Sequence, residues 1–324
     1  MRAPLRTRPL FREKVWAGGR MRGWLSDAPQ GSGEAWLVSD VDGDASPLVD
    51  PPGDRDLTLR ELVDREPEAL LGPRELAAQR ARGERPRWPL LIKLLDLGPP
   101  LSVQLHPDAA LARALGDGER GKCEAWLVLE PGQDARIYAG VPPARAELDA
   151  LLAACAAGTL GEDQLASFAP AAGEGLAITP GTLHTARDLL ALEVQETADV
   201  TYRVYDWGRG RELHLEAARR TLEALGLRPP PPRPGPWRAG RRELAPGCPF
   251  TFGAWELGAG EGFAHAGGEP AVLVGLAGTV ELRAAGQAWP LGRGEALVLP
   301  AALGEVEVVA QGPARCAHAA ALPA

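Results

Sequence analysis

Residues 101–108 read LSVQLHPD, residues 121–130 read GKCEAWLVLE, and residues 180–186 read PGTLHTA. Alternate side chains of a β-strand share a face, so Gln104 and His106 point the same way. Glu124 and His184 complete a set of two imidazoles, one carboxylate and one amide. Such donors suit a divalent metal with a position left open for substrate. Ligands this far apart in sequence must be gathered by the fold. The pattern therefore predicts a metal centre inside a β-barrel, not a local zinc finger. In KCEAWLVLE the alternation is regular. Lys122, Glu124, Trp126 and Val128 fall on one face, and Cys123, Ala125, Leu127 and Leu129 on the other.

Outward from this stretch, strands and turns dominate. PLLIKLLDL at 89–97 is a dense apolar run, and GEAWLVSD at 33–40 resembles an opening strand. Helical spacing appears near 57–84, where Leu59, Leu62 and Val63 recur and Pro73 separates two helices. A second helical insertion is expected near 144–169, and a short helix over 214–226 should end at Gly226. Residues 228–236, RPPPPRPGP, form a stiff extended linker. The expected organisation is thus a metal-binding domain over 1–227, the linker, and a small all-β domain over 237–324. That last domain lacks a His–Glu–His set, so a metal-free unit is expected there. His214, His265 and His318 show no ligand company in the sequence.

Composition narrows the class. The chain has 324 residues, is 45% hydrophobic and carries a net charge of -8, which argues against a nucleic-acid partner. Lysine is scarce while arginine is abundant, which reads as codon bias. Cys123, Cys155, Cys248 and Cys316 are far apart, so no disulfide framework is expected and a reducing cytoplasm is the predicted setting. Residues 1–30 lack a signal-peptide core, and no apolar stretch is long enough to span a membrane. Neither a P-loop nor a dinucleotide fingerprint is present, so no organic cofactor is expected. No protein partner can be inferred.

QLHPD, GKCE, PGTLHTA and ADVTYRVYDWGR, in this order, resemble the type I mannose-6-phosphate isomerase family in its short bacterial form. FREKVWAGG, GEAW and PLLIKLLD add to the resemblance, which runs from about Leu10 to about Leu227. It implies a mainly β fold of two cupin (jelly-roll) barrels with helical insertions. It also implies one Zn2+ per chain and a phosphorylated hexose as substrate, with mannose 6-phosphate and fructose 6-phosphate interconverted. By the same resemblance His106, Glu124 and His184 match metal ligands, and Gln104 matches a fourth. Arg203, Lys122 and Asp199 match catalytic positions, and Ser102, Lys122 and Arg203 match substrate contacts. Two positions depart from the family. Gly121 stands where longer relatives carry a histidine thought to help open the sugar ring, and Ala198 stands where a serine is usual.

Physical chemistry supports these roles. Aldose–ketose isomerisation removes a proton beside a carbonyl and returns it one carbon away. A metal with an open position can polarise that carbonyl, and Arg203 can stabilise the enediolate with fixed donors. Asp199, Glu193 and a metal-bound water are the three candidates for the base. Asp199 and Arg203 should share a strand face with Glu193, Gln195 and Thr201. Lys93 is odd within an apolar strand, and Glu34 is a candidate partner for it. Taken singly, each of these residues has a plainer reading: a packed histidine, a solvated lysine, an Asp199–Arg203 salt bridge. Two other functions stay open at this point, a non-catalytic sugar-phosphate-binding cupin and an iron-dependent oxygenase using the same triad.

Overall fold

The computed structural model describes residues 3–49, 57–118, 120–234 and 237–322. The Leu90–Leu97 strand is buried along its whole length, as a near-continuous apolar run requires of a central strand. On one side it pairs with His184–Glu196, which in turn pairs with the long strand Glu124–Ala139. On the other side lie Ser32–Val38 and then Leu10–Glu13. Gly175–Ile178 adds to Glu124–Ala139, while Val103–Leu105 bridges His184–Glu196 and Tyr202–Tyr205. All pairings are antiparallel.

The alternation read from KCEAWLVLE separates two cores. Trp126 and Val128 face a cluster with Trp16, Leu95, Leu97, Leu101 and Leu189 beneath the candidate site. Cys123, Ala125 and Leu127 face the other way, into the main core. That core also takes Phe250, Phe252, Val272, Val274 and Val298 from the C-terminal strands, so the two β units pack sheet against sheet. A third core fills the C-terminal sandwich, between the sheet carrying Ala271–Ala277 and Ala314–Ala321 and the four-stranded sheet carrying Gly262–His265 and Val280–Ala284. The larger of these sheets also takes Leu5–Thr7 and Leu48–Val49 from the start of the chain. The expected unit at 237–324 therefore shares its sheet with the first fifty residues. In the linker, Gly235 and Pro236 lie outside the described residues.

Both helical insertions form. Leu59–Arg65 starts on a capping box between Thr58 and Glu61. The next helix, Pro67–Ala81, is kinked at Gly72, whose φ of 72° is open to glycine at little cost, and Pro73 follows directly. Leu148–Ala157 forms the second insertion, and Leu215–Leu225 ends at Gly226.

The cysteine expectation is corrected. Cys123 and Cys248 are joined in a disulfide, with Cα atoms 5.8 Å apart at a sequence separation of 125. Nothing local marks such a pair. The two positions meet because the sheets bearing them stack. The cysteine-based argument for a reducing compartment falls with it. No helix among the described residues is long and apolar enough to cross a membrane.

Candidate metal centre

His106, Glu124 and His184 converge, with one donor atom from each lying within 4.8 Å of the others. All three are buried. Glu124 opens its strand, His184 opens the strand one place across the sheet, and His106 follows Val103–Leu105. Glu124 Oε2 is 3.4 Å from His106 Nε2, and Glu124 Oε1 is 3.2 Å from His184 Nε2. Each imidazole has its other nitrogen fixed. His106 Nδ1 is 2.9 Å from the Val200 carbonyl, and His184 Nδ1 is 2.9 Å from the Thr182 carbonyl. Both rings therefore carry the proton on Nδ1 and turn a bare Nε2 inward.

His106 Nε2 and Glu124 Oε1 are buried without a hydrogen-bond partner, and Glu124 Oε2 meets the Lys122 ammonium. Buried polar atoms of this kind are costly unless something fills the space between them. A cation fits the donor set. Burial, then the charge of Lys122, lowers the His106 pKa to about 3, so the ring is a neutral ligand. Burial opposes ionisation of Glu124, but Lys122 and His106 outweigh it and hold the carboxyl well below its ordinary value. Gln104 is the direct register partner of His184, with its amide nitrogen 3.4 Å from His184 Nε2. Ser102 Oγ donates to Gln104 Oε1 at 3.1 Å.

Beside this centre is a cleft of about 260 Å³, whose lining includes Ser102, Gln104, Lys122, Asp199, Thr201 and Arg203. Lys122 Nζ lies 2.8 Å from Glu124 Oε2. Burial pulls the Lys122 pKa down, but Glu124 and Glu193 more than offset it, so the ammonium is retained. Arg203 Nη1 donates to the Glu212 carbonyl at 2.7 Å, and its buried Nε has no partner. The Arg203 backbone N–H donates to His214 Nδ1 at 3.1 Å, so His214 has a positioning contact the sequence did not reveal.

The expected single strand face from Glu193 to Arg203 is not formed. The strand stops at Glu196, and Gln195 Nε2 donates to the Ala198 carbonyl at 2.6 Å, tying down a turn. Asp199, Thr201 and Arg203 nevertheless reach the same cleft as Glu193. Lys93 is paired with Glu193, Nζ to Oε2 3.4 Å, and lies over the Trp36 ring at 4.7 Å. Glu34, the partner considered from sequence, is bonded instead by Lys14 at 3.1 Å and by Trp36 Nε1 at 2.7 Å. Burial, then the Glu124 charge, raises the Glu193 pKa.

Sequence reasoning missed Lys14 and Arg211, and left Lys93 aside. A signal was available. The chain contains three lysines, Lys14, Lys93 and Lys122, and all three line this cleft. Where composition has drifted so far toward arginine, a surviving lysine marks a place that a planar guanidinium does not fill. A wider groove of about 990 Å³ opens alongside, sharing Asp199 and Thr201 in its wall, but it contains none of the three ligands.

Gly121 has a steric cause. A Cβ there would stand 2.6 Å from the Ala109 nitrogen and 2.7 Å from the Asp108 Cα. The start of the Ala109–Leu115 helix fills the space that a histidine would need.

The fold and the His–Glu–His group define a metal-binding protein of the cupin class. Residues 8–124 match the family described as phosphomannose isomerase type I, catalytic domain. The Bacillus subtilis protein named "Probable mannose-6-phosphate isomerase GmuF" is 31% identical over 67% of this chain and 68% of its own length. Mannose-6-phosphate isomerase ManA of the same organism is 28% identical over 97% of each chain. The crystal structure of the Bacillus subtilis mannose 6-phosphate isomerase superposes with a TM-score of 0.82 at 26% identity, covering 98% of this chain and 99% of that one. The chain belongs to the type I phosphomannose isomerase family.

Proposed function

We propose that the protein interconverts mannose 6-phosphate and fructose 6-phosphate by proton transfer through an enediol, using one Zn2+ held by His106, Glu124, His184 and Gln104. The observation that carries this reading is the convergence of His106, Glu124 and His184, with His106 Nε2 and Glu124 Oε1 buried and unpartnered, beside a cleft rich in cations. Nitrogen and oxygen donors with two neutral imidazoles suit zinc. Bound there, zinc supplies Lewis-acid polarisation of the sugar carbonyl.

The chain's own groups do the rest. Glu193 is the proton carrier: it faces the cleft, and burial with the Glu124 charge raises its pKa, which makes it a stronger base than an ordinary carboxylate. Lys93 and the Trp126 Nε1–H, 2.9 Å from Glu193 Oε1, hold that carboxylate in place. Lys122 and Arg203 stabilise negative charge on the enediolate oxygens and contact the substrate. Asp199 is the second acid in the wall and takes a catalytic part by holding a sugar hydroxyl. Ser102 and Arg211 receive the phosphate at the other end of the substrate. Five cationic side chains against three acids line the cleft, which favours a dianion.

The reaction belongs to the part over 1–227, with 237–324 as a supporting unit beyond the linker. The protein acts in the cytoplasm, where phosphorylated sugars are retained by their charge. Gly121, the one feature favouring a non-catalytic binder, loses that weight because helix packing accounts for it. Incubation with fructose 6-phosphate tests the reading. Mannose 6-phosphate should form, stop forming after chelation, and form again when Zn2+ is restored. An inactive, fully zinc-loaded protein would sink it.

A further inference from the structure

The sequence shows no ligand company for His265 or His318. They meet inside the C-terminal sandwich. His265 closes the strand Gly262–His265 of one sheet, and His318 lies on Ala314–Ala321 of the facing sheet. His318 shares its strand face with Cys316 and Ala320, which belong to the sandwich core, so it projects inward. Their ring centroids are 5.0 Å apart with an interplanar angle of 52°. The His106–His184 pair at the first centre shows 5.0 Å and 49°. The second pair thus repeats the ring geometry of the first.

The free atoms resemble that of His106, whose Nε2 is likewise unpartnered. His265 Nε2 and His318 Nε2 are both buried and both without a hydrogen-bond partner. His265 is held by a hydrogen bond with the backbone of Glu269, as His106 and His184 are each held by a backbone carbonyl. Burial, then the neighbouring His265, brings the His318 pKa down to about 3, and burial lowers that of His265, so both rings are neutral. Phe263 packs edge-on to His318 at 5.8 Å and closes one side.

We infer that His265 and His318 form a second cation site, for a divalent metal that prefers imidazole nitrogen, with solvent completing its shell. Zinc and copper fit that class. The charged neighbours set its strength. The Glu269 carboxylate favours a cation, whereas Arg241, paired with Glu243 at 2.7 Å, opposes one. The site is therefore weaker than the three-residue centre and separate from catalysis.

The test is zinc stoichiometry on the chelator-stripped full chain, by equilibrium dialysis and elemental analysis. Wild type should bind two equivalents, the second more weakly. His265→Gln and His318→Gln should each bind one equivalent, with isomerase activity unchanged and a native circular dichroism spectrum. His184→Ala should keep the weaker equivalent and lose the tighter one, which separates this site from the first. Saturation of wild type at one equivalent overturns the inference, whether or not the variants fold. So does a second equivalent that persists in both folded glutamine variants.

Discussion

Lys93 Nζ stands 3.4 Å from Glu193 Oε2, and the two residues are direct partners across adjacent antiparallel strands. Both side chains are 4% exposed, so each charge depends on the other. Removing one member of a buried pair leaves a bare charge and costs about 3–5 kcal/mol, while replacing both with apolar or neutral groups costs far less. Lys93→Met should therefore lower the melting temperature more than Lys93→Met with Glu193→Gln. Both variants should lose turnover, since the proton carrier is misplaced in one and absent in the other. Thermal denaturation alongside fructose 6-phosphate turnover checks this. A double variant less stable than the single one would mean that the pair is not the buried unit described.

The three lysines give a sharper test of the cleft. Lys14→Arg, Lys93→Arg and Lys122→Arg each keep the charge and change its shape. Elsewhere in this chain arginine takes the place of lysine throughout. Activity should fall at least tenfold in Lys93→Arg and Lys122→Arg, whose side chains are buried. Lys14, a third exposed and paired with Glu34, should tolerate the change better. Equal activity in all three would show that charge alone matters at these positions.

Much of the centre was legible in the sequence because its ligands sit in short strand-and-turn motifs whose alternation fixes their direction. Gln104 and His106 share a face, as do Lys122 and Glu124, and the fold needed only to bring the pieces together. What could not be read was register between distant strands. Lys93 stood out as a charge in an apolar run, but its partner depends on which residue of His184–Glu196 lies opposite, and that is set by the whole sheet. Glu34 was a fair alternative and lies close enough to feel Lys93, whose charge, with that of Lys14, outweighs burial and lowers the Glu34 pKa. The strand Leu5–Thr7, only three residues long, gave no sign that it would pair with Ala296–Leu299. The His265–His318 pair was invisible for the same reason.

His184→Ala removes one of three mutually close donors and leaves the space to solvent. Metal content and activity should fall together, by more than tenfold at micromolar free zinc, because two ligands hold an ion far less tightly than three or four. Elemental analysis of the dialysed variant gives the metal content. Full occupancy there would take His184 out of the ligand set.

Arg203→Ala should act differently. Arg203 touches the Glu212 carbonyl and none of the three ligands, so the metal should stay. Loss of a donor aimed at developing charge typically costs about 10²–10³ in turnover. A steady-state assay on the zinc-loaded variant checks it, and an unchanged rate would remove Arg203 from the chemistry.

The disulfide makes a last prediction about what holds the centre. Cys123 immediately precedes Glu124 in the chain, and its partner Cys248 lies beyond the proline-rich segment. Closing so long a loop constrains the unfolded chain, and a bond of this kind contributes about 2–4 kcal/mol. Yet Glu124 does not rely on it for position. The Cys123 N–H donates to Glu196 Oε2 at 2.9 Å, and the Glu196 N–H donates to the Cys123 carbonyl at 3.1 Å, so the backbone there is tied to the neighbouring strand independently. Cys248→Ser, or wild type under dithiothreitol, should therefore unfold at lower denaturant while retaining metal and turnover below the transition. If reductant stripped the metal from folded protein, Glu124 would be held by the sulfur bridge and not by its sheet. If the denaturation midpoint did not move at all, the bridge would contribute nothing to the native state.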